Sequence, residues 1–155
     1  MAISGITTTL WFASEAQEAA NFYTSLFPDS EIHETSYYGA GAPMPEGSVL
    51  TVSFTIFGQS FLALNGGEHD PHNDAVSFQI SCDTQDEIDH LWNSIIADGG
   101  EESMCGWCRD RFGVRWQITP SALPGLLGSS DPAEAQFAWQ AMMEMKKFVI
   151  KGLRP

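Results

Sequence analysis

From Val114 to Thr119 apolar and polar residues alternate, with Val114, Trp116 and Ile118 set against Arg115, Gln117 and Thr119. A period of two is the signature of a strand with one buried face and one polar face. The approach to it, Cys105 to Phe112, is rich in aromatic residues and predicts a turn at Phe112-Gly113. The same alternation occurs at 49–56, where Leu50, Val52, Phe54 and Ile56 oppose Thr51, Ser53 and Thr55. It recurs at 75–82, where Val76, Phe78 and Ile80 oppose Ser77, Gln79 and Ser81.

Taken in order, the chain predicts a strand at 6–13, rich in β-branched and aromatic residues, and then a helix. Ser14 and Gln17 read as a capping box for that helix, and Ala16, Ala19, Ala20, Tyr23, Leu26 and Phe27 form its apolar stripe, which Pro28 ends. Strands follow at 30–38, 49–56 and 60–65, the first two separated by a Gly/Pro-rich loop and the last two joined across Phe57-Gly58-Gln59. The segment 66–74, GGEHDPHND, breaks the pattern, after which the order begins again. A strand at 75–82 leads to a Thr84/Glu87 capping box, a helix carrying Ile88, Leu91, Trp92, Ile95 and Ile96, a Gly99-Gly100 stop, and strand material over 101–119. A strand–helix–strands unit of this size is too small to be comfortably stable alone, whereas two together bury enough. Last, Asp131-Pro132 opens a helix lined by Ala135, Ala138, Ala141, Met142 and Met145, with a basic tail over 146–155.

At 155 residues and 43% hydrophobic content, the chain suits one domain or two small modules sharing a core. It shows neither a basic and apolar leader nor a membrane-length apolar run, so the expected address is cytoplasmic. Three cysteines without an export signal suggest reduced thiols. The net charge is −13, and all seven Lys and Arg residues lie from Arg109 onward. Such a chain repels nucleic acid and anionic membrane, and neither is expected as a partner. Arg109, Arg111 and Arg115 either pair with carboxylates or mark a place for a small anion.

The doubled βαβββ order, the segment Asn21-Phe22-Tyr23 and the phrase DRFGVRWQI at 110–118 resemble the vicinal oxygen chelate superfamily of glyoxalase and bleomycin-resistance proteins. Within it, CGWCRDRFGVRWQITP followed by a Met-Lys-Lys helix end resembles the PhnB-like group, whose members often carry the name 3-demethylubiquinone 3-methyltransferase. The resemblance implies an α+β fold: two βαβββ modules, about 1–65 and about 75–120, forming an open cleft-lining barrel, with a C-terminal helix and tail over 121–155. It also implies a homodimer. Metalloenzymes of this fold carry ligands on the first and last strands of each module, and these positions fall here among Thr7 to Thr9, at Leu64 or Asn65, near Ala75, and at Gln117. Such a set lacks the charged oxygen or imidazole that a divalent cation needs, so no metal and no cofactor are expected.

Other chemistries are less well supported by the residues. Cys105 and Cys108 have a CxxC spacing, but in extended chain their alpha-carbons lie about 10 Å apart, too far for a disulfide, and no second CxxC completes a zinc site. His69, Asp70, His72 and Asp74 sit in the inter-module segment, and His33 and His90 are isolated. The first strand runs into Ser14-Glu15-Ala16 and not into the glycine-rich turn of a doubly wound methyltransferase. No catalytic triad can be assigned. The leading expectation is a homodimer that binds a small organic molecule in a metal-free cleft walled by Trp11, Ser53, Gln79, Arg115 and Gln117, with Trp107 at the mouth. The alternatives are a methyltransferase of the 3-demethylubiquinone type, a metal-dependent glyoxalase or dioxygenase-type enzyme, and a structural dimer without a ligand.

Overall fold

In a computed structural model, which describes residues 3–155, the apolar alternation builds two sheets with the same strand order. Contacts divide the chain between Asp70 and Pro71 into two units.

In unit one, β1 (Thr8–Phe12) lies parallel to β4 (Gln59–Asn65), and β4, β3 (Val49–Ile56) and β2 (Ser30–Tyr37) continue antiparallel, in the order β1-β4-β3-β2. The predicted strand at 6–13 is thus shorter, and Ile6 lies outside it and exposed. Helix α1 (Ala16–Leu26) covers one face of the sheet. Its stripe of Ala16, Ala19, Ala20, Tyr23 and Leu26 is buried as the 3.6-residue period requires. Tyr23 meets Phe54, which stacks on Phe61 at 5.3 Å between ring centroids. The β3–β4 turn is the two residues Phe57-Gly58, both with positive φ, as the twist of a hairpin favours.

The expected Ser14 cap is not formed. The N-cap residue is Glu15, without a side-chain cap bond, and the Ala16 N–H donates to Asn65 Oδ1 at 2.8 Å. Asn65 is buried at the end of β4 and also donates through Nδ2 to the Val49 carbonyl. One side chain therefore ties the helix start to two strands.

In unit two, β5 (Phe78–Cys82) lies parallel to β8 (Arg115–Pro120). Strands β7 (Trp107–Arg109) and β6 (Glu101–Glu102) follow antiparallel, giving the order β5-β8-β7-β6. Strand β5 begins three residues later than expected; Val76 is exposed, and Ala75 N–H bonds to Asn73 Oδ1 in a turn. Helix α2 (Gln85–Ile96) has the expected Thr84/Glu87 capping box and buries Ile88, Leu91, Trp92 and Ile95. The opposing layer is Cys108, Trp116 and Ile118.

Beyond β8 come a short helix the sequence did not suggest, α3 (Leu123–Leu127), and α4 (Pro132–Glu144), whose Asp131 cap accepts from Ala133 N–H as expected. Of the predicted α4 stripe only Ala138 and Met142 are buried, while Trp139 and Met143 on the neighbouring face are exposed. The segment read as a basic tail is docked. Phe148 and Leu153 are buried, a 3₁₀ turn forms at Ile150–Leu153, and the Gln85 side chain bonds both the Phe148 carbonyl and Ile150 N–H. A Cβ on Gly106 would come within 2.4 Å of the Phe148 ring, so this packing requires glycine there. No helix among the described residues is long and apolar enough to cross a membrane.

Candidate functional site

Each sheet has one face under a helix and one polar face. On the polar face of unit two the register sets Gln79 opposite Gln117 and Gln117 opposite Trp107. Three of the predicted residues thus form one row across β5, β8 and β7. Directly opposed residues share a face and lie within side-chain reach, which licenses treating the row as a unit. Gln117 Nε2 donates to Ser77 Oγ at 2.8 Å, and Gln79 is exposed. The residues facing Gln117 from the second unit's first strand and its approach are Gln79 and Ser77.

Arg115 stands two residues along β8 from Gln117, on the same face and opposite Arg109. Its Nε donates to Asp74 Oδ1 at 2.6 Å and its Nη1 to the Gly113 carbonyl at 2.6 Å. Arg109 Nη2 donates to Glu101 at 2.8 Å, and the Arg111 guanidinium lies 4.5 Å from the Phe112 ring centroid. The arginines that could have marked an anion site are therefore engaged within the chain, Arg109 and Arg115 by carboxylates. A pocket of about 220 Å³ lies beside them, lined among others by Trp107, Arg109, Arg115, Asp74 and Glu101.

Behind β8, Asp110 is buried. Its Oδ1 accepts from the N–H groups of Phe112 and Val114, and its Oδ2 from Trp116 Nε1 at 2.9 Å. This carboxylate fixes the turn that sets the register of Arg115 and Gln117. Asp110 was not singled out from the sequence as functional. An Asp two residues before a Phe-Gly turn was the available signal, because such side chains accept from backbone N–H groups just ahead.

Unit one carries Trp11 and Ser53 on its own polar face, where Trp11 pairs with Leu64 and Ser53 with Leu62. Trp11 is 42% exposed, its Nε1 donates to the Gly67 carbonyl at 3.2 Å, and its ring lies 6.5 Å from that of His69. The indole leaves no room for a Cβ at Gly66. Ser53 Oγ accepts from Glu34 N–H at 3.1 Å.

The CxxC pair is reduced. Cys105 has φ of 57° and donates toward the Met142 carbonyl, while Cys108 is buried in the core. Burial, reinforced by the Asp110 charge, pushes the Cys108 thiol up to about 12, so it is a poor nucleophile and ligand at neutral pH. Among the described residues no three His, Cys, Asp or Glu side chains gather as a metal site would require. The groups around Gln117 are an amide and a hydroxyl, which do not fit a divalent cation.

Two mixed four-stranded sheets of identical order, each backed by a helix after its first strand, define an α+β protein of the glyoxalase fold. A family profile described as 3-demethylubiquinone-9 3-methyltransferase matches residues 4–119. A PhnB protein of Bacillus cereus, provisionally named 3-demethylubiquinone-9 3-methyltransferase, is 35% identical. The alignment covers 76% of this chain and 100% of that one, with a TM-score of 0.69. A Pseudomonas aeruginosa protein shares the fold at 19% identity and a TM-score of 0.61, covering 76% of this chain and 98% of that one. So does the fosfomycin resistance protein FosX of Listeria monocytogenes, at 16% identity and a TM-score of 0.52, covering 79% and 98%. Curated proteins give no match. The chain belongs to the PhnB-like family that bears the 3-demethylubiquinone-9 3-methyltransferase name.

Proposed function

We propose that this chain binds a small organic molecule on the polar faces of its sheets, without a metal or other cofactor, and works as a cytoplasmic homodimer. The observation that carries the reading is the row Trp107–Gln117–Gln79, with Arg115 two residues along β8 on the same face and a pocket of about 220 Å³ beside it. An indole face supplies contact area, two amides donate and accept, and a guanidinium orients a polar group. The binding residues proposed are Gln79, Trp107, Arg115 and Gln117 in unit two, with Trp11 and Ser53 on the corresponding face of unit one.

The neutral groups around Gln117 support metal independence. The family name suggests transfer of a methyl group. That reading would require a site for S-adenosylmethionine, which is usually built on a parallel doubly wound sheet with a glycine-rich first turn. The mixed sheets here favour the binding reading instead.

The test is a fragment titration followed by the side-chain amide signals of Gln79 and Gln117 and the indole signal of Trp107. Ligands should shift these together, and Gln117→Ala should abolish the shift while the protein stays folded. Shifts confined elsewhere, tight binding of S-adenosylmethionine, or a stoichiometric transition metal in the purified protein would each refute the reading.

A further inference from the structure

We infer that the ligand of this site is a small organic anion, that it displaces Asp74 from Arg115, and that Arg109 is a second residue binding it. This rests on the proposed binding at the same face. The chain holds no Lys or Arg before Arg109, yet the β7–β8 register sets Arg109 directly opposite Arg115. Like charges opposed across an antiparallel pair repel, so this placement needs compensation.

The compensation differs on the two sides. Glu101 pairs with Arg109 at 2.8 Å and is also its ladder partner on β6, so the strand holds it in place. Asp74 comes from the turn before β5 with its side chain 78% exposed, while the Arg115 side chain is only 20% exposed and keeps its bond to the Gly113 carbonyl. Asp74 is thus the half of the pair that can leave. An ion pair with one partner so exposed contributes little, and replacing it is cheap.

Charge balance then selects the ligand. The third carboxylate at the pocket, Glu102, is held by Lys146 at 2.7 Å. With Asp74 in place the local charges cancel; with Asp74 turned to water one positive charge is left, which a monoanion neutralises. Arg109 supplies a further argument, because its Nε is buried without a hydrogen-bond partner. A buried donor without an acceptor is costly, so the guanidinium, whose side chain is 41% exposed, gains by turning to offer that N–H to a ligand carboxylate. The pocket volume of about 220 Å³ is below the range of drug-sized ligands, so the acid is small, with room for one ring against Trp107.

The experiment titrates the protein with benzoate and with its neutral isostere benzamide, by calorimetry and through the Trp107 and arginine Nε–H signals. Benzoate should bind and benzamide should not. Asp74→Asn, a change on an exposed turn, should tighten benzoate binding by up to about fivefold, the equivalent of ~1 kcal/mol. Arg109→Gln and Arg115→Gln should each abolish it, with circular dichroism reporting that each variant is folded. If benzamide binds as well as benzoate, or Asp74→Asn leaves benzoate affinity unchanged or weaker, the anion exchange is wrong while binding at this face stands. If neither compound moves the Trp107 or Gln117 signals, the anion inference falls, while binding at this face is decided by the fragment titration.

Discussion

Asp110 shows how much one side chain can decide that a hydrophobic pattern does not reveal. It is 1% exposed, and its two oxygens accept from two backbone N–H groups and the Trp116 indole. Asparagine would keep the shape but turn an NH₂ toward a donor, leaving buried donors unmatched. Asp110→Asn should therefore lower stability by about 3 kcal/mol in urea denaturation, and a loss under about 1 kcal/mol would contradict this account. Alternation made Trp116, Gln117 and Arg115 legible as strand residues with defined faces. The sequence could not show that Asp110 reaches the indole of a residue six further on, nor that Arg115 spends its Nε on Asp74. The thiols give a second prediction. Burial first, and then the charges of Glu87 and Asp83, push Cys82 up to about 11; burial and Asp110 push Cys108 up to about 12. Both folded values exceed the ordinary 9.0. The stability this represents is fully present below pH 9 and is lost as pH rises from there toward 11 and 12. Native protein at neutral pH should leave Cys82 and Cys108 unlabelled by iodoacetamide, and Cys108→Ala should flatten the loss of stability above pH 9. Ready labelling of Cys108 in folded protein would show that the site is not closed.

At the scale of elements, local signals were readable and distant ones were not. The Thr84/Glu87 box spans four residues, so its residues alone suffice to place the start of α2. Helix α1 is capped by Asn65, 49 residues away, so the nearby Ser14 was the natural but wrong choice. In α3 a Pro and a Gly sit within five residues, a composition that reads as loop until Leu123 and Leu126 are seen buried. The segment after α4 read only as a basic tail, yet Phe148 fills the space that Gly106 leaves open. Two caps of different kinds give a comparison. Thr84→Ala removes an exposed cap and should cost about 1 kcal/mol. Asn65→Ala leaves the Ala16 N–H unmatched in a buried position and the Val49 carbonyl in a half-buried one, so it should cost about 2 kcal/mol or more. Equal losses in parallel denaturation curves would mean that Asn65 serves only as an ordinary cap.

For the whole molecule, the repeat was the most legible feature, because both sheets are built from the same succession of signals and both take the same strand order. The packing of α4 was less so, since the stripe expected to be buried is only partly the one that is. Ala138 and Met142 turn inward, leaving Trp139 50% and Met143 59% exposed, with Phe137 at 38%. Large apolar side chains gathered on one helix are the usual ground for a two-fold contact, and the expected result is a dimer mass by light scattering. The net charge of −13 makes that expectation sharper, because two such copies repel one another through solvent while the apolar contact does not depend on charge. Added salt shortens the range of the repulsion and leaves the apolar term in place. The dimer should therefore tighten as sodium chloride is raised from low to physiological strength, and Trp139→Glu should shift the population to monomer at every salt concentration. Dissociation promoted by salt would mean that ion pairs, and not the α4 face, hold the copies together.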